Sequence, residues 1–417
     1  MKQRAWVVLL GAMAAPALSA EAAAEPGRFY RTAWAGTRGN RFRVNSPDTR
    51  TGPFKDRWEA RQTGVMKITV DEDLSQVMGA ALHLELWGGH PGVANKRFTL
   101  NGASEYALPE VGAARHNCVY SYPAVLLKPE ELKRGENVFA FTCDKGSAFW
   151  GHYLIRAARV QMELKRAHPG LMAAGLADFG VAVVARPAKA GGEAVALSLD
   201  LPAGAAKRIA AVEYWGRYSG YDENGDGKGR GLHGFRKDGK PVGNIATVTS
   251  PPFAATWDLA MVPRTPRLGV GAIVRFRDRP DLLYATNSAE VAFPKRTSRR
   301  VTLHLSKDLP RPFWSRAGRV RTCTIELDAD PARIERAELH VLIWDGGKGK
   351  TREPFTLNGH ALPVAGQGRH DVLYRVLPLD PQHLRRGANK VRVLSDTQHH
   401  GIEVLLPGPG IMVRRRE

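Results

Sequence analysis

Apolar and polar residues alternate along much of this chain. The alternation is clearest in residues 65–70 (VMKITV), 82–86 (LHLEL) and 137–142 (NVFAFT). Because successive side chains of a strand point to opposite faces, each run predicts a half-buried strand of an antiparallel sheet. Asn-Gly pairs at Asn101 and Asn358 follow short apolar runs and predict tight hairpin turns. The pattern therefore predicts an all-β protein.

One stretch of this pattern occurs twice. Residues 82–102 read LHLELWGGHPGVANKRFTLNG and residues 339–359 read LHVLIWDGGKGKTREPFTLNG, so that FTLNG recurs intact. The match continues with GAARHNCVY against GQGRHDVLY, and with LKPEELKRGEN against LDPQHLRRGAN. Two copies this far apart predict two similar globular domains with a different domain between them.

The segment between the copies has strand-like runs of its own, at residues 181–185, 194–201, 255–258 and 270–276. About seven short strands separated by turn residues are typical of an immunoglobulin-like (Ig-like) sandwich. The predicted parts are a signal peptide (1–22), β-sandwich copy one (28–166), an Ig-like β-sandwich as the middle segment (168–293) and β-sandwich copy two (295–417).

The repeated motifs resemble a known family. The order LWGG, FTLNG, RH, Y and LKPEELKRGENVFAF is similar to galactose-binding-domain-like β-sandwiches, and the middle segment, with YDENGDG followed by ATWD, resembles bacterial Ig-like modules. The resemblance implies two homologous jelly-roll or galactose-binding-like sandwiches separated by an Ig-like sandwich. Such domains occur as carbohydrate-binding modules and as accessory domains of glycosidases, so the motifs specify a fold rather than a ligand.

The start of the chain indicates export. Lys2 and Arg4 precede an apolar run over residues 5–18, a pattern typical of a secretory signal, and no later stretch is apolar enough to span a membrane. We therefore expect a secreted or periplasmic protein. Two states stay open for the cysteines in that oxidising setting: a Cys118–Cys143 disulfide that leaves Cys323 over, or three buried thiols.

The net charge of +20 changes the expected partner. A strongly basic secreted protein is attracted to polyanions, so we expect a polysaccharide or another anionic polymer. Nucleic acid also fits the charge but is the less favoured partner. A solvated basic surface without a specific partner explains the charge equally well.

Strand direction predicts which loops meet. Successive strands of an antiparallel sandwich run from pole to pole, so alternate loops gather at one end, where binding sites are usual. In copy one this pole gathers Trp87, His90, Arg115, His116, Asp144, Trp150 and His152. In copy two it gathers Trp344, Asp345, Arg369, His370, Asp396, His399 and His400.

Three interpretations of these pole residues stay open. Aromatic rings stack on sugar rings while Arg, His and Asp bind hydroxyls or acidic groups, which describes a glycan site. His370, Asp396, His399 and His400 are also ligand types that bind zinc. Alternatively, the tryptophans are core residues and the polar residues brace the loops.

Residues 222–227 (DENGDG) form the sharpest local motif. Asp222, Asn224 and Asp226 place three oxygen side chains at alternate positions, a spacing that Ca²⁺ loops use. The bidentate glutamate that closes an EF-hand loop is replaced by His233. A structural Ca²⁺ and an unliganded turn rich in Asp and Asn both stay open.

No motif specifies a reaction, because the G-x-S-x-G, H-E-x-x-H and P-loop patterns are absent. The favoured function is a secreted multidomain carbohydrate-binding protein for an acidic polysaccharide or cell-surface glycan. One alternative is a carbohydrate-active enzyme, a glycoside hydrolase or polysaccharide lyase, with a His-rich, metal-dependent site. Another is a structural or adhesion protein. Glu85 is a candidate general acid, but the solvent face of a strand is the better interpretation.

Overall fold

The computed structural model describes residues 27–35, 42–52, 55–90, 93–109, 118–144, 151–189, 192–294, 296, 298–364 and 368–417. The predicted signal peptide lies outside these residues, and so do Arg115, His116 and Trp150. Within them the chain is almost entirely β-structure, with one α-helix at Pro169–Ala173, which confirms the predicted all-β class. None of the helices in these ranges has the length and apolar character needed to cross a membrane.

The strands follow the predicted runs closely. Copy one contains β1 (Arg28–Trp34), β2 (Phe42–Asn45), β3 (Val65–Val70), β4 (Val77–Trp87), β5 (Ala94–Leu100), β6 (Glu105–Ala107), β7 (Tyr120–Ser121), β8 (Ala124–Leu127), β9 (Gly135–Asp144) and β10 (His152–Leu164). The middle segment contains β11 (Ala182–Pro187), β12 (Ala194–Asp200), β13 (Ile209–Ser219), β14 (Arg230–Leu232), β15 (Phe235–Lys237), β16 (Lys240–Val242), β17 (Ala246–Val248), β18 (Ala255–Asp258), β19 (Gly269–Phe276), β20 (Leu282–Ala285) and β21 (Ala289–Glu290). Copy two contains β22 (Arg299–Leu305), β23 (Trp314–Ser315), β24 (Arg321–Leu327), β25 (Ile334–Asp345), β26 (Phe355–Leu357), β27 (His360–Leu362), β28 (Asp371–Leu379), β29 (Gly387–Val393), β30 (Ile402–Val404) and β31 (Gly410–Arg416).

Each copy has a four-stranded sheet with the same strand order. The order is β3-β9-β5-β6 in copy one and β24-β29-β26-β27 in copy two. The Asn-Gly pairs turn the chain as predicted, since Asn101 and Asn358 both have φ of 51° and each is followed by a glycine with positive φ. A left-handed backbone at two successive residues is what a tight hairpin turn requires.

The second sheet of copy one continues into the middle segment through β1. One edge of β1 pairs with β10 and the other edge pairs with β20. The resulting sheet runs in the order β14-β13-β19-β20-β1-β10-β4-β7. Phe29 of β1 is 1% exposed, and its ring lies 5.0 Å from that of Tyr284 and 6.1 Å from that of Phe179. Copy one and the middle segment therefore share one sheet and one core.

All three cysteines are buried, and none of them forms a disulfide with another. Cys143 points into the shared core, whereas Cys118 belongs to a separate apolar cluster that includes Tyr221 and Leu405. The disulfide interpretation is therefore wrong, because the two runs that carry these cysteines bury them in different cores. The buried-thiol alternative is correct.

That separate cluster joins all three parts of the chain. Its members come from copy one, from the middle segment and from copy two: Cys118, Tyr120, Tyr221, Leu342, Val372 and Leu405. Tyr221 also donates its hydroxyl hydrogen to the carbonyl oxygen of Gly408 at 2.7 Å. We call this apolar cluster, with the polar contacts around it, the junction.

Replacing Phe29 by alanine tests the shared core. We expect the free energy of unfolding to fall by about 3–5 kcal/mol, because the change opens a cavity between two packed units. Urea denaturation followed by circular dichroism measures the loss. The matched control is Trp58→Ala, whose indole is 69% exposed, and we expect it to change the same free energy by less than about 0.5 kcal/mol. Equal stability of the two variants would contradict the shared core.

Candidate functional site

The structure brings together three of the predicted pole residues of copy one. The ring of Trp87, the last residue of β4, lies 5.0 Å from the ring of His90 and 5.4 Å from that of His152. The two imidazole rings are 5.6 Å apart. Strand parity therefore gathers these residues as expected, but His152 is only 5% exposed.

A preceding segment covers this pole of copy one. β2 pairs with the start of β10, and the amide of Ser46 and the hydroxyl of Thr49 both donate to the carbonyl oxygen of Gly151, at 2.9 and 3.3 Å. Burial, together with the nearby charge of Arg43, lowers the pKa of His90 to about 4. The imidazole of His90 is therefore neutral near pH 7, as a packed residue would be.

The corresponding pole of copy two carries exposed polar side chains. The ring of Trp344 lies 5.5 Å from the ring of His370 and 5.8 Å from that of His400, and the two imidazole rings are 4.5 Å apart. His399 and His400 are exposed, as is Arg369, while Trp344 is half-buried. His370 and His400 both have positive φ, which indicates tight turns on either side of the indole. We call this surface the copy-two rim.

The predicted aspartates of both poles brace loops. Asp345 is buried, and its carboxylate accepts from the amides of Gly368 at 2.8 Å and Arg369 at 3.4 Å. The carboxylate of Asp396 accepts from the amide of Lys350 at 2.7 Å. In copy one, Asp144 accepts from the side chain of Asn95 at 2.6 Å and from that of Arg97 at 2.9 Å. These carboxylates therefore brace chain segments at the poles of both copies.

The oxygen side chains of the DENGDG motif bind the loop's own amides. Asp222 accepts from the amides of Asp226 at 3.0 Å and Gly227 at 2.9 Å, and Asn224 accepts from Asp226 at 3.1 Å. Burial, with the adjacent Asp226, raises the pKa of Asp222 to about 7. The donors suit Ca²⁺ in kind, and a bound Ca²⁺ stays a prediction. Among the described residues, no three His, Cys, Asp or Glu side chains are grouped to hold a metal ion.

Sequence analysis missed the role of Glu85. The residue is 5% exposed, and its carboxylate accepts from the amides of Asp238 at 2.9 Å and Gly239 at 3.2 Å. Those amides belong to the turn between β15 and β16, which crosses the outer face of β4. The solvent-face interpretation of Glu85 is therefore wrong, because the middle segment covers that face.

Arg156 ties the same turn to copy two. Its guanidinium donates two hydrogen bonds of 2.9 Å to the carboxylate of Asp238 and a third of 2.9 Å to Asp371. Lys237 also donates to Asp371, at 2.5 Å. Bidentate arginine–carboxylate pairs of this kind are among the stronger polar contacts in proteins. Asp238 and Asp371 lie 82 and 215 residues from Arg156 in sequence, so no local pattern could have predicted these contacts.

A buried carboxyl lies beneath the two tryptophans. Glu403 of β30 is the cross-strand partner of Trp344 and is hydrogen-bonded to the thiol of Cys118, which in turn contacts Trp87. Burial raises the pKa of Glu403 to about 7. The two tryptophan poles therefore meet at the junction, where both indoles pack on the apolar cluster.

The similarity of this chain to known proteins is weak. No family model matches this chain, and no curated protein sequence matches it. A β-porphyranase of glycoside hydrolase family 86 from the human gut bacterium Bacteroides plebeius aligns at 16% identity with a TM-score of 0.25, over 57% of this chain and 37% of that one.

Two further structures align no better. The protein BuGH86wt in complex with neoagarooctaose aligns at 15% identity and a TM-score of 0.24, over 56% of this chain and 33% of that one. A proposed membrane-anchored protein from Corynebacterium diphtheriae aligns at 8% identity and a TM-score of 0.17, over 84% and 79% of the two chains. This chain spans about a third of the length of the two family 86 structures. Likeness at these TM-scores gives no ground for inferring what this chain binds.

The pKa of Glu403 predicts how stability depends on pH. A carboxyl with a raised folded-state pKa holds its proton more tightly when folded. Its stabilising contribution is therefore complete below the ordinary pKa of 4.5 and is lost as pH rises through about 7. Between about pH 5 and pH 8 we expect the wild type to lose more unfolding free energy than Glu403→Gln does, by an amount on the order of 1 kcal/mol or more. The thermal midpoint of the wild type should therefore fall more steeply over this pH range.

The control for this experiment is Glu326→Gln, which changes an exposed carboxyl on β24 of the same copy. We expect its midpoint to follow that of the wild type at every pH. Parallel pH profiles for the wild type and Glu403→Gln, measured by differential scanning fluorimetry, would contradict the raised pKa.

Proposed function

We propose that this protein binds carbohydrate outside the cytoplasm, and that the copy-two rim is its binding surface. The observation that carries the proposal is the difference between the two poles. Arg369, His399 and His400 are exposed at the copy-two rim, whereas His152 at the equivalent pole of copy one is buried. A loop-borne cluster of an aromatic residue, imidazoles and a guanidinium suits a sugar ring with polar or acidic substituents.

The proposal includes the domain identities expected from sequence. Two galactose-binding-like sandwiches, residues 28–166 and 295–417, flank an Ig-like sandwich at 168–293. The shared strand order of the two four-stranded sheets supports the kinship of the copies, and the two sheets of the middle segment suit an Ig-like sandwich. Loops at one end of such sandwiches commonly carry binding sites, which supports the choice of the rim.

An acidic polysaccharide is the proposed ligand class. The chain has a net charge of +20, which raises the local concentration of polyanions around it. Binding is favoured over hydrolysis because the rim aspartates, Asp345 and Asp396, already accept hydrogen bonds from their own loops. Glycosidase chemistry needs a pair of carboxyl groups that face the substrate.

Replacing His399 and His400 together by alanine tests the rim. Because both imidazoles are exposed at the rim, we expect binding to weaken by about tenfold or more, which corresponds to the loss of one or two good polar contacts. Affinity electrophoresis through gels that contain each member of a panel of acidic and neutral polysaccharides measures the change.

The matched control removes two other histidines of copy two. The rings of His360 and His383 stack 3.5 Å apart, beside the Asn358 turn. β28 begins beside Trp344 and ends at Leu379, opposite Ala337 at the other end of β25. His383 follows Leu379 and therefore lies at the end of copy two that is remote from Trp344. We expect His360→Ala with His383→Ala to leave binding unchanged. Equal retardation of the wild type and both double variants would reject the rim, and release of sugar products would support the hydrolase alternative instead.

A further inference from the structure

Arg159 occupies an unusual place in the shared sheet. It lies on β10, between Trp34 on β1 and His83 on β4, which are its cross-strand neighbours on either side. The guanidinium carbon sits 5.4 Å from the centre of the Trp34 ring. All three residues are half-buried, where copy one meets the middle segment.

The guanidinium of Arg159 has no carboxylate partner. Across the described ranges it makes no hydrogen bond or ion pair, and its Nε is buried without an acceptor. Nε2 of His83 and Nε1 of the buried Trp215 are likewise without acceptors. The terminal nitrogens of Arg159 are not among these buried atoms, and the residue as a whole is half-buried.

The nearest carboxylates are already engaged. Glu213 accepts from Arg275 at 2.7 Å and also pairs with Arg236. Glu85 accepts from the amides of the β15–β16 turn. Burial, and then the charge of Arg236, lowers the pKa of Arg159 to about 9. Positive charge is therefore in excess at this place.

A partly buried charge without a partner is costly, and proteins usually pair or remove it. An anion would supply the missing partner. The planar fork of a guanidinium binds a carboxylate or sulfate through two parallel hydrogen bonds. The half-buried indole of Trp34 adds apolar surface beside the guanidinium.

We propose that Arg159, with Trp34, His83 and Arg236, forms a second binding site, which takes the sulfate or carboxylate group of an acidic saccharide. The saccharide part of this inference rests on the proposed function, whereas the anion site itself does not. The site lies on the sheet face, separate from the copy-two rim. At this site a specific group, the guanidinium of Arg159, would account for a preference for acidic ligands, which net surface charge alone would leave without a location.

Thermal unfolding in sodium sulfate and in sodium chloride of equal ionic strength tests the anion site. We expect sulfate to raise the midpoint of the wild type by about 2 °C or more beyond its effect on Arg159→Met, because only the wild type gains a bound anion. The general stabilising effect of sulfate acts on every variant and cancels in the comparison.

Two further variants complete this test. Arg375→Met removes an exposed arginine of β28 and lowers the net charge equally, so we expect it to respond to sulfate as the wild type does. Arg159→Lys keeps the charge and the fold but loses the fork, so its response should be intermediate. Equal sulfate responses in all four proteins would overturn the anion site.

Calorimetric titration with a sulfated, a uronate-containing and a neutral oligosaccharide separates the ligand sources. We expect Arg159→Met to bind the acidic ligand at least about tenfold more weakly than the wild type and Arg375→Met do. Unchanged affinity of Arg159→Met for every acidic oligosaccharide would overturn the saccharide assignment. The wild type could also respond to sulfate through Arg159 and yet bind no saccharide. That result would support the anion site and reject the proposed function.

Discussion

Strand β1 is hydrogen-bonded along both of its edges, and the rest of the structure depends on this double pairing. A strand at the edge of a sheet leaves a row of backbone donors and acceptors without partners. Here β10 satisfies one edge and β20 satisfies the other. The pairing fixes the register between copy one and the middle segment. It therefore places Trp34 and Arg159 side by side and buries Phe29 in a core common to both parts.

The junction joins copy two to this unit. Equivalent positions of the two copies make the same kind of contact there in one case and different contacts in another. Cys118 and Val372 occupy equivalent positions of the two copies, and both pack in the same apolar cluster. Glu85 and Leu342 are also equivalent, yet the first binds the β15–β16 turn while the second packs against Tyr221's cluster. Equivalent positions of the two copies therefore contact different neighbours. The two poles differ as well, because His152 is buried in copy one while His399 and His400 are exposed in copy two.

Local pattern was sufficient to predict the strands, the Asn-Gly turns and the gathering of Trp344, His370 and His400. Period-two alternation and strand direction depend only on short stretches of chain. The cover over His90, the engagement of Glu85 and the isolation of Arg159 depend instead on how distant parts pack. Residues 42–52 belong to a polar, arginine-rich stretch whose pattern does not predict contact with the pole of copy one. Glu85 lies in an alternating run, and the outer face of such a run is normally exposed to water.

Scanning calorimetry of the intact protein tests most directly whether the shared sheet and the junction make one cooperative unit. If they do, the three parts unfold together, in a single endotherm whose calorimetric enthalpy equals its van't Hoff enthalpy. Two or three separate endotherms, or a calorimetric enthalpy well above the van't Hoff value, would show that the parts unfold independently and would contradict the constraint imposed by β1.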